Sequence, residues 1–244
     1  MKRYILLTFL LAISIGKNAY SDQFDNAYSL QQSGDLEKAK NLYEELARNG
    51  HILASYNLGY IELELKNYGD SIKWLTLAAE GEMPEASYTL GKIYEKGMYQ
   101  GIDFEQSLKW YTKAANLDYA YAQHSLAFLY SKGYGAEINQ QESLYWLTKA
   151  AQNGLADSQF TLGYMYREGN LVTLDIDQSI FWLTRSAEQG YAQAQHQLGL
   201  MYYQGLEVTR DCSKAKLWTS QAYEQDYEYA KKIYWKVKLS CLFD

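Results

Sequence analysis

Trp74, Trp110, Trp146, Trp182 and Trp218 are each separated by 36 residues. A fixed step in one of the rarer side chains means that the chain repeats a structural unit of that length. Other positions keep the step. Tyr94, Tyr130, Tyr166 and Tyr202 recur twenty residues after the first four tryptophans, and Gly97, Gly133, Gly169 and Gly205 three residues later. Leu90, Leu126, Leu162 and Leu198 precede those tyrosines by four. Gly91, Gly163 and Gly199 share a column with Ala127. The length of 244 residues is therefore a stack of short units rather than one or two compact domains.

Each unit reads as two helices. Segments such as Ala192 to Gln204 put Ala194, Leu198, Met201 and Tyr202 on one face at helical spacing. A glycine-bearing loop follows. The second helix opens at Asp103, Asn139, Asp175 or Asp211, all good N-caps, with Asp103–Gln106 and Asn139–Glu142 spaced as capping boxes. It carries the Trp and then a small pair, Ala114–Ala115 or Ala150–Ala151, and ends near a C-cap glycine at 154 or 190. Glycine inside the first helix costs about 1 kcal/mol against alanine. Its recurrence marks a close approach of a neighbouring helix, with the Ala pairs expected as the other half. The Trp column is expected to fill the space between adjacent helix pairs, and the Tyr column to share that core. Further back, Gly59 to Trp74 is four residues shorter than Gly91 to Trp110, and Tyr43, Ala47 and Gly50 match Trp74, Ala78 and Gly81. Residues 24–50 read as a first divergent pair and 227–243 as a final lone helix.

Residues 1–21 have a basic start at Lys2 and Arg3, an apolar stretch from Ile5 to Ile15, and small residues at Ala19 and Ser21. That is the order of a secretory signal, and it is too short to span a bilayer, which takes about 20 apolar residues. The expected domains are the signal at 1–21, divergent repeats at 22–82, 36-residue repeats at 83–226 and a capping helix at 227–244. Removing the signal changes the net charge from −6 to −9, with 20 basic against 29 acidic residues. The expected product is an exported, periplasmic or secreted, soluble acidic protein with no nucleic-acid partner and no stable membrane insertion.

The pattern A-x-x-x-L-G-x-x-Y-x-x-G, a short loop, D-x-x-x-(A/S)-x-x-W and A-A-x-x-G resembles the Sel1-like repeat family, a branch of the tetratricopeptide-like repeats. Ala86 to Gly97 with Asp103 to Trp110, and Ser158 to Gly169 with Asp175 to Trp182, carry it most closely. The resemblance implies an all-α fold: a right-handed α-solenoid of five to six helix-turn-helix repeats, closed by a C-terminal capping helix. It implies a non-enzymatic, monomeric interaction module holding a protein or peptide partner, as immunity proteins or assembly factors of the family do. The alternative it carries is a β-lactam- or cell-wall-acting hydrolase of the cysteine-rich branch, whose repeat-stapling cysteines are missing from these repeats.

By analogy with related repeats, certain first-helix columns face a groove. Counted from the Gly91 column, the position three before holds Tyr56, Tyr88, His124, Phe160 and His196. The position one after holds Tyr60, Lys92, Phe128, Tyr164 and Leu200, and Arg167 and Tyr203 lie further on. These columns change residue type from unit to unit, and their aromatic content suits a protein interface. Little else carries chemistry. The Ser-x-x-Lys spacing at Ser14–Lys17 falls inside the signal, and His124 and His196, 72 residues apart, are too distant to share a metal. No catalytic residue, metal or cofactor is expected. Cys212 and Cys241 each lie 14 residues from the turn at Asp226–Tyr227, so an antiparallel hairpin sets them level as a disulfide pair.

Overall fold

The structure, a computed structural model, describes residues 21–205 and 207–242. All of the expected signal except Ser21 lies outside the described residues. Among the described residues there are thirteen helices and no strand. The first is α1 (residues 21–32). It is followed by α2 (Leu36–Arg48), α3 (Ile52–Glu64), α4 (Tyr68–Glu80), α5 (Pro84–Glu95) and α6 (Phe104–Asn116). Then come α7 (Ala120–Lys132), α8 (Gln140–Gln152), α9 (Ala156–Glu168), α10 (Ile176–Glu188), α11 (Ala192–Gln204), α12 (Cys212–Glu224) and α13 (Glu228–Ser240). Odd-numbered helices are the first member of each pair and even-numbered helices the second. The chain forms two compact units, one ending at Leu117 and one beginning at Asp118, and each is a stack of such pairs of the all-α solenoid class.

The loop chemistry repeats with the sequence. Asp103, Asn139, Asp175 and Asp211 accept backbone N–H bonds at 2.9 to 3.0 Å from Gln106, Glu142, Gln178 and Lys214. The reciprocal half of the expected capping boxes is replaced by another bond. The N–H of each of these cap residues donates to the carbonyl of Tyr94, Tyr130, Tyr166 or Tyr202, at 2.9 to 3.0 Å. The tyrosine column is thus half-buried rather than core, and its backbone clamps the loop. In the shortened repeat, Asn67 N–H donates to Glu62 O at 2.8 Å, so the clamp survives the loss of four residues. Gly133, Gly169 and Gly205 end their helices in the left-handed region, which a β-carbon disfavours.

The second helices end the same way at Gly154 and Gly190, but Glu82, Asp118 and Asp226 adopt φ near +60° in the same column. Gly81, matched to Gly50 on spacing, is not the left-handed residue; Glu82 is. A β-carbon on Gly81 would meet Ile52 instead.

The close approach at the small-residue column is real, but its partner differs from the expectation. A β-carbon at Gly59 or Gly163 would stand 2.8 or 2.9 Å from Cγ of Leu75 or Leu183, and one at Gly91 would stand 2.5 Å from Cδ1 of Tyr111. Gly199 faces Thr219. The opposing residue is therefore the one directly after the Trp column, in the same repeat, not the Ala pair. Trp74 and Trp182 are buried and Trp110, Trp146 and Trp218 half-buried. Trp182 clusters with Ala151 and Leu144 of the preceding pair, as an inter-repeat peg should.

A second periodic feature lies in the core of the second unit. Gln123, Gln159 and Gln195 are buried. Gln159 and Gln195 donate to the carbonyls of Ala151 and Ala187 at 3.0 Å, at the end of the preceding helix. The side-chain oxygens of all three accept from Asn153, Gln189 and Gln225, themselves 36 residues apart, at 2.7 to 2.9 Å. A buried amide costs free energy unless it is bonded, and this ladder satisfies each one while tying consecutive repeats together.

Candidate functional site

The two expected groove columns part company in the structure. The column three before the small residue is half-buried throughout. Tyr56 packs into the core cluster of Leu75 and Leu90, and burial raises its hydroxyl pKa. The Tyr88 ring packs at a tilt against Tyr111, centroids 5.6 Å apart. Phe160 lies 5.3 Å from Tyr191 and His196 5.5 Å from Tyr227, centroid to centroid. Tyr191 and Tyr227 are the N-cap residues of the next first helix, so the following repeat covers Phe160 and His196. Burial lowers the pKa of His196.

The column one after the small residue is the exposed one. Tyr60, Phe128 and Tyr164 are 41%, 44% and 46% exposed, while Lys92, with its ammonium over the Tyr88 ring, and Leu200 are half-buried. Two further expected groove residues are engaged within the chain. Arg167 Nε donates to both carboxylate oxygens of Glu207 at 2.9 and 2.8 Å, a pairing that raises its pKa. Tyr203 shares a hydrogen bond with Ser240 at 3.2 Å and packs against Cys212, Val237 and Cys241. Those two cysteines form a disulfide-capable pair with Cα atoms 5.5 Å apart, pinning α13 to α12.

Three of the expected residues meet in one place. His124, Phe128 and Tyr164 line an open cavity of about 480 Å³ between α7 and α9, floored by Ser143 and Leu147 of α8. Asp157, Thr161, Met165 and Leu171 complete its far wall. Asp157 is the one carboxylate, and no Lys or Arg is among the described residues that line it. Tyr191 donates to Asp157 Oδ1 at 3.1 Å; burial, then the Asp157 charge, pushes the tyrosine pKa up to about 12. His124 Nδ1 lies 2.8 Å from Ser158 Oγ, and its Nε2 lies 3.8 Å from Asp157 Oδ2. Ser, His and Asp are the residue types of a hydrolase triad. Here Ser158 is fully buried, so no substrate carbonyl reaches its oxygen, and the Asp contact exceeds hydrogen-bond length. The grouping fastens α9 to α7. Among the described residues no three His, Cys, Asp or Glu side chains gather as a metal site needs, and no helix is long and apolar enough to cross a membrane.

Six consecutive segments, residues 27–51, 52–82, 84–119, 120–155, 156–191 and 192–227, match the Sel1 repeat. The chain belongs to the Sel1 repeat family. Sel1 repeats are a protein-interaction fold. This Sel1 repeat chain is similar to a protective antigen of uropathogenic Escherichia coli strains that displays an SLR fold. The two share 28% identity over 92% of this chain and 50% of the antigen, at a TM-score of 0.84. A Sel1 repeat protein from Oxalobacter formigenes shares 29% identity over 84% of this chain and 60% of its own, at a TM-score of 0.74. A sel1-like repeat-containing protein of Acanthamoeba polyphaga mimivirus is 31% identical over 83 residues, 33% of this chain and 16% of its own length. The chain thus spans 60% or less of each of these relatives.

Proposed function

We propose that this Sel1 repeat chain is an exported, non-enzymatic binding module that holds a segment of a protein partner in the α7–α9 groove. One observation carries the reading. Phe128 and Tyr164 occupy the same column one repeat apart, both stay exposed, and both face one open cavity. Burying a large apolar side chain contributes about 1.5–3 kcal/mol, so two rings supply the anchor energy typical of an interface centre. His124, Thr161 and Asp157 offer polar contacts at the walls. Export rests on residues 1–21, and cleavage is read from the mass of the protein recovered outside the cytoplasm.

The test is affinity capture from the exported fraction with the wild-type chain and a Phe128→Ala/Tyr164→Ala variant. The reading expects a discrete partner that the variant recovers at least tenfold less well. Equal recovery by both proteins refutes it. The identity of the captured partner, a toxin held inactive or a component of an assembly, decides between the immunity and scaffold roles. Turnover of a chromogenic β-lactam by the purified chain would favour the hydrolase alternative.

A further inference from the structure

Helix α13 carries apolar residues on two opposite faces. Buried Ala230 lies in one stripe with Ile233, Val237 and Cys241, and the last three pack into the cluster that includes Cys212 and Ala215 of α12. On the other face Trp235 and Leu239 stand one turn apart and are 55% and 63% exposed, and Leu242, just past the helix end, is 59% exposed. At 3.6 residues per turn, Lys231 and Lys238 fall on one side of this outer stripe and Lys232 and Lys236 on the other. The Lys238 ammonium lies 5.0 Å from the Trp235 ring centroid. Lys231 pairs with Asp226 and Lys232 with Glu228, both exposed.

The repeat register says what this face is not. Trp235 stands 36 residues after Gly199, in the column where Gly59, Gly91, Gly163 and Gly199 let a second helix press close. A tryptophan there forbids that mode of packing. The charge says what the face prefers. Residues 208–242 hold seven basic against four acidic side chains, whereas residues 22–207 hold 13 against 24. Pairing with a second α13 would bring two sets of four lysines together, so the charge opposes self-association through this face.

We propose that α13 is a peripheral attachment surface for an anionic lipid bilayer. Tryptophan and leucine along the centre of a helix face, with lysines on both flanks, suit a helix lying in the headgroup plane. The rings and methyl groups enter the acyl boundary while the lysine stems reach back to phosphates. A flat lipid surface needs no pocket, only the apolar ridge and its positive flanks.

Co-sedimentation of the purified chain tests the proposal, with phosphatidylcholine vesicles that contain or lack phosphatidylglycerol. Binding is expected only to the phosphatidylglycerol vesicles and should fall as salt is raised. Trp235→Ser/Leu239→Ser should weaken it about tenfold or more. Lys232→Gln/Lys236→Gln/Lys238→Gln removes no buried contact and should weaken it by about fivefold per lysine. Circular dichroism confirms that both variants stay helical. The proposal is overturned by absence of binding, by equal binding to both vesicle types, or by binding that neither variant changes. The first of these is also the result expected if an acidic protein, not lipid, covers the ridge.

Discussion

Gly91 and Tyr111 form a tight junction between a first and a second helix, and they allow the packing account to be tested with a double-mutant cycle. A β-carbon at position 91 would lie 2.5 Å from Cδ1 and 2.6 Å from Cε1 of Tyr111. Normal carbon contacts are about 3.5–4.0 Å, so the ring must retreat by about 1 Å. It has little room: Tyr111 is fully buried, its hydroxyl donates to Glu95 at 2.6 Å, and the Tyr88 ring packs against it. Overpacking of this kind costs about 3 kcal/mol, and the better helix propensity of alanine returns about 1, so Gly91→Ala should lose about 2 kcal/mol. Tyr111→Leu alone removes ring contacts and should also lose about 2 kcal/mol. Together they recreate the pair that the next repeat uses in the same register, Ala127 with Leu147. The double variant should therefore lose about 2 kcal/mol rather than 4, a coupling of about 2 kcal/mol. Urea unfolding of the four proteins, followed by circular dichroism, measures it. Losses additive to within about 0.5 kcal/mol would refute the reasoning.

Three further outcomes follow from the structure. Glu82→Gly places glycine where φ is +61°, and should raise stability by about 0.5–1 kcal/mol, seen as a higher urea midpoint. Cys212→Ser/Cys241→Ser opens a loop of 29 residues in sequence separation and should cost up to about 3–4 kcal/mol. That loss should appear first as faster amide exchange in α13, and unchanged exchange there would contradict the pinning role. His196 has a folded pKa below its unfolded value, so its contribution is full above about pH 6.5 and is lost as pH falls toward the folded pKa. The wild type should consequently lose more stability between neutral and mildly acidic pH than His196→Phe, which copies Phe160 in the same column.

Architecture was legible in the sequence wherever one residue type is demanded by backbone geometry. The Asp and Asn caps and the left-handed glycines at 133, 169 and 205 answer to local bonds that any one repeat makes for itself. Features set by two repeats at once were harder to see. The glutamine ladder hid because Ser55 and Ser87 hold its column in the first unit and bond to their own helix backbone. The partner of the small-residue column hid because it reads Leu75, Tyr111, Leu147, Leu183 and Thr219, with no common type. Exposure of the groove columns depends on the N-cap aromatic of the following repeat, which covers Phe160 and His196 but leaves Phe128 and Tyr164 open. Arg167 meets Glu207 from forty residues away, beyond any local pattern. Trp235 was countable from the start, yet its meaning came from lying in a glycine column.

The central claim is that a partner rests on Phe128 and Tyr164. A photo-crosslinking amino acid at position 128 or 164, with controls at Tyr145 on α8 and at half-buried Phe160, tests it directly in the exported protein. The account predicts one shared adduct from positions 128 and 164, little from 160 and none from 145. An adduct formed from position 145 but absent from 128 and 164 would contradict it.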